Sequence, residues 1–86
     1  MFESYRQIWG EKVLTKVEVI DVMKLDEKFL VTLKGSNELY PGTKLISATN
    51  VYQVEARETQ SIYAYRNKIV GVLLAVEPTE TFLELG

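Results

Sequence analysis

The 86-residue chain contains no cysteine and no histidine. Without cysteine, no disulfide can form and no thiolate is present to act as a nucleophile or a metal ligand. Without histidine, no side chain has an ordinary pKa near neutrality, so acid–base catalysis would need a strongly shifted carboxylate, lysine or tyrosine. We therefore expect a protein that is not an enzyme and that holds no metal ion or other cofactor.

The chain also has few prolines and glycines, and its positive and negative charges nearly balance. Two prolines and five glycines leave no low-complexity linker, and ten basic against twelve acidic residues give a net charge of −2. Such a chain has no global field that would draw it onto nucleic acid or an anionic membrane. The longest apolar run, residues 69–76, is far shorter than the roughly 20 residues of a membrane helix, and no signal-peptide pattern precedes it. We expect one soluble, cytoplasmic domain over residues 1–86.

The apolar residues that are present alternate in short runs, which is typical of β-strands. A first strand starts at Lys12, and later strands are predicted over 29–34, 44–47, 51–58, 62–65, 69–76 and 81–85. The phase slips by one residue at Val19–Ile20, which indicates a β-bulge and puts Ile20 and Val22 on the inner face. Turns are predicted over 26–28 and at Pro41–Gly42, with Gly42 at a positive φ.

These runs predict an all-β fold of six or seven mostly antiparallel strands. A small closed β-barrel is favoured over a small sandwich, because closure removes exposed strand edges. The continuous apolar run at 69–76 is typical of a central strand covered on both faces. The last strand, 81–85, is expected to place Phe82 and Leu85 in the core, with Leu83 as a further core candidate, and to lie at an edge, where a second chain could pair with it.

Four segments follow one another along the chain: residues 17–22, residues 29–35, LYPGTKL at 39–45 and residues 69–76. Their order resembles that of the β-barrel domain that follows the GTPase domain in elongation factor Tu and related translation factors. The resemblance implies the barrel topology alone. Thr43 stands where that family usually has an acidic residue, and the spacing from Gly35 to Gly42 does not superimpose without a gap. The chain has no GxxxxGK[ST] motif, so no GTPase activity is implied.

Residues 1–10 are interpreted as an aromatic arm, in which Phe2, Tyr5 and Trp9 suit a helical turn or an edge strand equally well. The arm either packs on the chain's own barrel or anchors a partner, because tryptophan and tyrosine concentrate at interface hot spots. We expect a non-catalytic interaction module. Its partner is a protein or a second copy of the chain, bound through Phe2, Tyr5 and Trp9 or through the barrel surface.

An oligonucleotide-binding barrel is the alternative hypothesis. Tyr63 and Tyr65 are predicted on one face of a short strand, with Arg66 and Lys68 in the turn that follows. Aromatic side chains beside positive charge are how other barrels hold single-stranded nucleic acid. The same pattern also fits a tyrosine pair that covers one end of the barrel beside a solvated turn.

Two pairs of acidic residues are candidates for catalytic or metal-binding groups. Glu55 and Glu58 fall on a predicted outer face, and Asp26 and Glu27 fall in a predicted turn. Neither spacing is diagnostic, and the chain has no DxDxDG calcium loop. We expect all four carboxylates to be solvated.

Overall fold

The computed structural model describes residues 15–86. Its elements are β1 (Lys16–Leu25), β2 (Lys28–Lys34), β3 (Lys44–Ile46), β4 (Val51–Gln53), β5 (Ala56–Arg57), α1 (Ile62–Arg66), β6 (Ile69–Leu74) and β7 (Phe82–Leu85). The strands form one antiparallel sheet in the order β4-β3-β7-β1-β2-β6-β5. The all-β prediction is therefore confirmed. The predicted aromatic arm, with Phe2, Tyr5 and Trp9, lies outside the described residues.

The hairpin of β1 and β2 contains the predicted bulge. Val19 pairs with Leu33 and Asp21 pairs with Thr32, so Ile20 has no partner across the ladder. The bulge leaves Ile20 exposed, while Val22 packs against the core. The expectation that Ile20 faces the core was wrong, because the extra residue interrupts the alternation that would have turned it inward.

The core consists of inward-facing apolar side chains from six of the strands, from the loop between β2 and β3 and from the connection between β4 and β5. These residues are Val17, Val31, Leu33, Leu39, Leu45, Tyr52, Val54, Val70, Val72, Leu74 and Leu83. In β6 the buried side chains alternate with partly exposed ones, so its second face is only partly covered, against the expectation of a strand covered on both faces.

The turn at Pro41–Gly42 has the predicted geometry. Gly42 has a φ of 96°, and the Thr43 amide donates a hydrogen bond to the Tyr40 carbonyl over 2.9 Å. A positive φ at the second central position is what a type II turn requires, and glycine adopts it without a steric penalty. The turn leads the chain directly into β3.

The last strand, β7, is an interior strand and not the edge that the sequence predicts. It pairs with β1 through Val17 and with β3 through Leu45, one on each side. Alternation places Leu83 in the core and leaves Phe82 half-exposed, so the prediction of a buried Phe82 was also wrong. The neighbours of β7 come from distant parts of the sequence, which explains why its own residues do not reveal its position.

The predicted strand over 51–58 is two short strands with different neighbours. β4 pairs with β3 and β5 pairs with β6, so these two strands stand at opposite ends of the sheet order. No ladder joins β4 to β5, and the sheet of the described residues is therefore open. Only Val54 and Glu55 separate the two strands, and their amides donate 2.9 Å hydrogen bonds to the carbonyls of Thr43 and Leu73 respectively.

Residues 62–65 form most of helix α1 and not the predicted strand. Ser61 caps the helix, since its Oγ accepts a 3.0 Å hydrogen bond from the Ala64 amide. None of the helical residues is buried, so local capping rather than an apolar face defines this element. No helix in the described range is long and apolar enough to cross a membrane.

Candidate binding surfaces

Within residues 15–86 no group of three or more acidic side chains is arranged to hold a metal ion. The four carboxylates considered from the sequence, Asp26, Glu27, Glu55 and Glu58, are all exposed. Glu55 forms an ion pair with Lys28, and the side chain of Glu58 lies over the backbone of Gly71. The structure gives these carboxylates surface positions, in agreement with the expectation that they are solvated.

Glu80 is a carboxylate that the sequence reasoning missed. It accepts hydrogen bonds from the Ser47 hydroxyl, from Asn50 Nδ2 at 3.0 Å and from the Tyr52 hydroxyl at 2.8 Å. The bonds from Ser47 and Asn50 contribute most to lowering the pKa of Glu80 from 4.5 to about 2. Glu80 thus links the connection between β6 and β7 to the turn between β3 and β4. A carboxylate that is held ionised in this way is unsuited to act as a general acid at neutral pH.

An apolar row crosses the outer face of the sheet. Met23 of β1 pairs with Leu30 of β2, Leu30 pairs with Leu73 of β6, and Leu73 pairs with Ala56 of β5. Leu25 stands two residues after Met23 and so projects from the same face. Met23 is 49% exposed and Leu25 is 43% exposed, while Leu30 and Leu73 are half-buried. We call these five residues the outer apolar row.

Two shallow grooves run along the outer apolar row. The larger, of about 680 Å³, lies between Leu25, Leu73 and the acidic turn that contains Asp26 and Glu27. The smaller, of about 210 Å³, lies between Leu30 and Ala56. An apolar centre with charged residues at its rim is the usual anatomy of a protein-binding patch.

The sequence-predicted nucleic-acid residues lie at the end of the sheet that carries α1. Tyr63 is 71% exposed and Tyr65 is 61% exposed. Helical residues two apart point about 200° away from each other, so these tyrosines do not share one face as predicted. Arg66 is the last helical residue and Lys68 lies in the turn that follows, and both are exposed.

Tyr40 adds a third exposed aromatic side chain at this end, where the sequence predicts only a turn. Its ring centre lies 4.9 Å from the guanidinium carbon of Arg57. Arg57 Nη1 donates a 3.0 Å hydrogen bond to the Asn37 carbonyl, and Asn37 Nδ2 donates one of 3.0 Å to the Tyr65 carbonyl. We call Tyr40, Arg57, Tyr63, Tyr65, Arg66 and Lys68 together the tyrosine–cation end.

No protein-family model matches the chain, and no characterised protein or solved structure is significantly similar to it. The resemblance to the translation-factor barrel therefore stays a prediction.

Proposed function

We propose that this protein is a non-catalytic interaction module whose partner is another protein with an apolar surface. The outer apolar row is the observation that carries the proposal. An antiparallel sheet with one face on the core normally presents polar residues to solvent on the other. Here the outer face carries a row of paired residues, one from each of four adjacent strands, and all four have apolar side chains. Contiguous exposed apolar surface of this kind marks sites of protein association.

The chemistry of the row favours a protein over a polyanion. Met23 and Leu25 offer no hydrogen bond to a partner, and the adjoining turn carries Asp26 and Glu27, which would repel phosphate groups. The one cation lining the larger groove, Lys28, is already paired with Glu55. Binding here should therefore rest on apolar burial, worth about 1.5–3 kcal/mol for each fully buried large side chain, and should depend little on salt.

We also propose that residues 51–57 close the sheet into the barrel that the sequence predicts. β4 and β5 are the two ends of the strand order but are consecutive in the chain, separated by Val54 and Glu55. The Val54 amide binds the Thr43 carbonyl next to β3, and the Glu55 amide binds the Leu73 carbonyl of β6, so these two consecutive residues contact both ends of the sheet. One bent segment bridging both ends would leave no long edge for non-specific pairing. A cytoplasmic location remains a prediction from the sequence.

Matched variants of the outer apolar row test the proposed function. The wild type, the double variant Met23→Lys/Leu25→Lys and the control Val51→Lys are immobilised and exposed to a native lysate. Val51 is a large apolar residue exposed on β4, outside the row. A protein that is captured by the wild type and the control is then identified and purified, and its affinity for each variant is measured by calorimetry.

We expect the purified partner to bind the wild type and Val51→Lys with similar affinity at 50 and 500 mM salt, and to lose at least 10-fold in affinity for the double variant. Circular dichroism must show that all three proteins are folded. Equal affinity for the double variant would contradict the proposal. Capture of nucleic acid alone, released by moderate salt, would favour the alternative function.

A further inference from the structure

We propose that the tyrosine–cation end is a second binding site, specific for single-stranded nucleic acid. The site involves other residues than the outer apolar row and does not depend on the function proposed above. The row lies on the outer face of β1, β2, β6 and β5. The tyrosine–cation end is formed by α1, its following turn, the loop between β2 and β3 and Arg57 of β5, whose side chain also borders the smaller groove of the row. Three lines of observation support the site.

The first is local charge. Arg57, Arg66 and Lys68 all lie at this end, and none of them forms an ion pair among residues 15–86. Lys68 is tied to the end of β2, since its carbonyl accepts a 2.9 Å hydrogen bond from the Gly35 amide. Asp26 and Glu27 lie in the hairpin turn after β1, at the opposite end of the β1–β2 pair. The acids near this end are Glu38 of the loop between β2 and β3 and Glu58, next to Arg57. The side chains of Arg66 and Lys68 are exposed and form no ion pair among residues 15–86, so these two cations are available for phosphate groups.

The second is aromatic surface. Tyr40, Tyr63 and Tyr65 are each more than half exposed, although large aromatic side chains usually bury most of their area. Because any base has a flat π-face, exposed tyrosine rings beside cations bind single strands with little sequence preference. A duplex hides those faces within its base stack, so single strands are the ligand that these rings would select.

The third is rigidity. Arg57 Nη2 donates a 2.6 Å hydrogen bond to Gln60 Oε1, and Gln60 Nε2 donates bonds of 2.8 Å to Asn37 Oδ1 and to the Ile69 carbonyl. Asn37 in turn binds the Tyr65 carbonyl of α1. This network links the loop that bears Tyr40 to the helix that bears Tyr65. Ligand-binding side chains carried on a preorganised frame lose less entropy when they bind.

Fluorescence anisotropy with labelled U20, dT20 and a 20-base-pair DNA duplex tests the inference. We expect saturable binding of both single strands at 50 mM NaCl and weaker binding of the duplex. If Arg66 and Lys68 each neutralise one phosphate, affinity should fall about 7-fold between 50 and 200 mM NaCl, from a slope of about −0.7 for each phosphate. The comparison of U20 with dT20 tells whether the site distinguishes RNA from DNA through the 2′-hydroxyl and the thymine methyl group taken together.

Three variants separate the contribution of phosphate binding by the cations from that of base stacking on the tyrosines. Arg66→Gln/Lys68→Gln should weaken binding and flatten the salt dependence, whereas Tyr65→Ala should lose roughly 10-fold in affinity and keep the slope, because stacking involves no counterion release. Lys24→Gln, in the exposed distal part of β1, is the matched control and should bind like the wild type. All the changed side chains are exposed, and thermal melts confirm folding.

Absence of saturable binding to both single strands at 50 mM NaCl would overturn the inference. Equal affinity for the duplex, or an equal loss of affinity in Lys24→Gln, would also overturn it, since binding would then be non-specific electrostatics. The variant Met23→Lys/Leu25→Lys must retain affinity for U20, which keeps failure of this site distinct from failure of the outer apolar row.

Discussion

The Tyr52 hydroxyl donates a hydrogen bond of 2.8 Å to Glu80 Oε1 and so joins β4 to the connection between β6 and β7. The other oxygen of Glu80 accepts from Ser47 and Asn50, in the turn between β3 and β4. Burial, and then the bond to Glu80, raise the pKa of Tyr52, so the tyrosine stays a donor at neutral pH. The carboxylate thereby fixes the β3–β4 hairpin against the chain that enters β7.

The Glu80 interaction predicts a specific dependence of stability on pH. The pKa of Glu80 lies at about 2 in the folded protein and near the ordinary 4.5 in the unfolded chain. The stabilisation is therefore fully present above pH 4.5 and is lost as the pH falls from there toward 2. We expect Glu80→Gln to have a lower melting temperature than the wild type at pH 7, and the difference to shrink progressively between pH 4.5 and pH 2.

Glu77→Gln is the control for this pH series, because Glu77 is an exposed acid in the same connection. Its melting temperature should stay near that of the wild type at every pH. A constant difference between Glu80→Gln and the wild type from pH 7 to pH 2 would contradict the assignment, since it would show that ionisation of Glu80 plays no part.

The sequence predicts local features of this fold well. The alternation of β1 and β2, the bulge at Ile20 and the positive φ of Gly42 depend on residues close together in the chain, and each is present in the structure. Features that depend on distant neighbours are predicted poorly. The interior position of β7 results from pairing with β1 and β3, which its own residues do not encode.

The candidate surfaces show the same limit. The sequence singles out Tyr63 and Tyr65, but the five-residue segment that contains them is too short for periodicity to distinguish a strand from a helix. The outer apolar row was missed altogether. Met23, Leu30 and Leu73 each look ordinary within their own strands, and only the register of the sheet brings them side by side.

The alternation in β7 predicts opposite outcomes for two adjacent substitutions. Leu83 is buried and Phe82 is half-exposed. We expect Leu83→Ala to lower the free energy of unfolding by about 2–5 kcal/mol, because it removes buried methyl groups and leaves a cavity. Phe82→Ala should cost less than about 1.5 kcal/mol, although it removes the larger side chain.

Urea denaturation monitored by circular dichroism measures both free energies. The two variants serve as controls for each other, because they change adjacent residues of the same strand that differ in burial. A larger loss for Phe82→Ala than for Leu83→Ala would show that β7 turns the face of Phe82, and not that of Leu83, toward the core.

If residues 51–57 close the sheet, the backbone amides of Val54 and Glu55, which lie between β4 and β5, should exchange their hydrogens slowly. The Val54 and Glu55 amides donate to Thr43 and Leu73, and the Glu58 amide donates to the Gly71 carbonyl over 2.8 Å. If this segment bridges both ends of the sheet, its amides open only when the sheet opens, and their protection should approach that of β6. Hydrogen–deuterium exchange followed by NMR provides the measurement. The fast-exchanging reference is the amide of the exposed residue Glu77, which donates no backbone hydrogen bond among residues 15–86. Exchange of Glu55 as fast as that of Glu77 would mean that β4 and β5 separate freely and that the sheet stays open in solution.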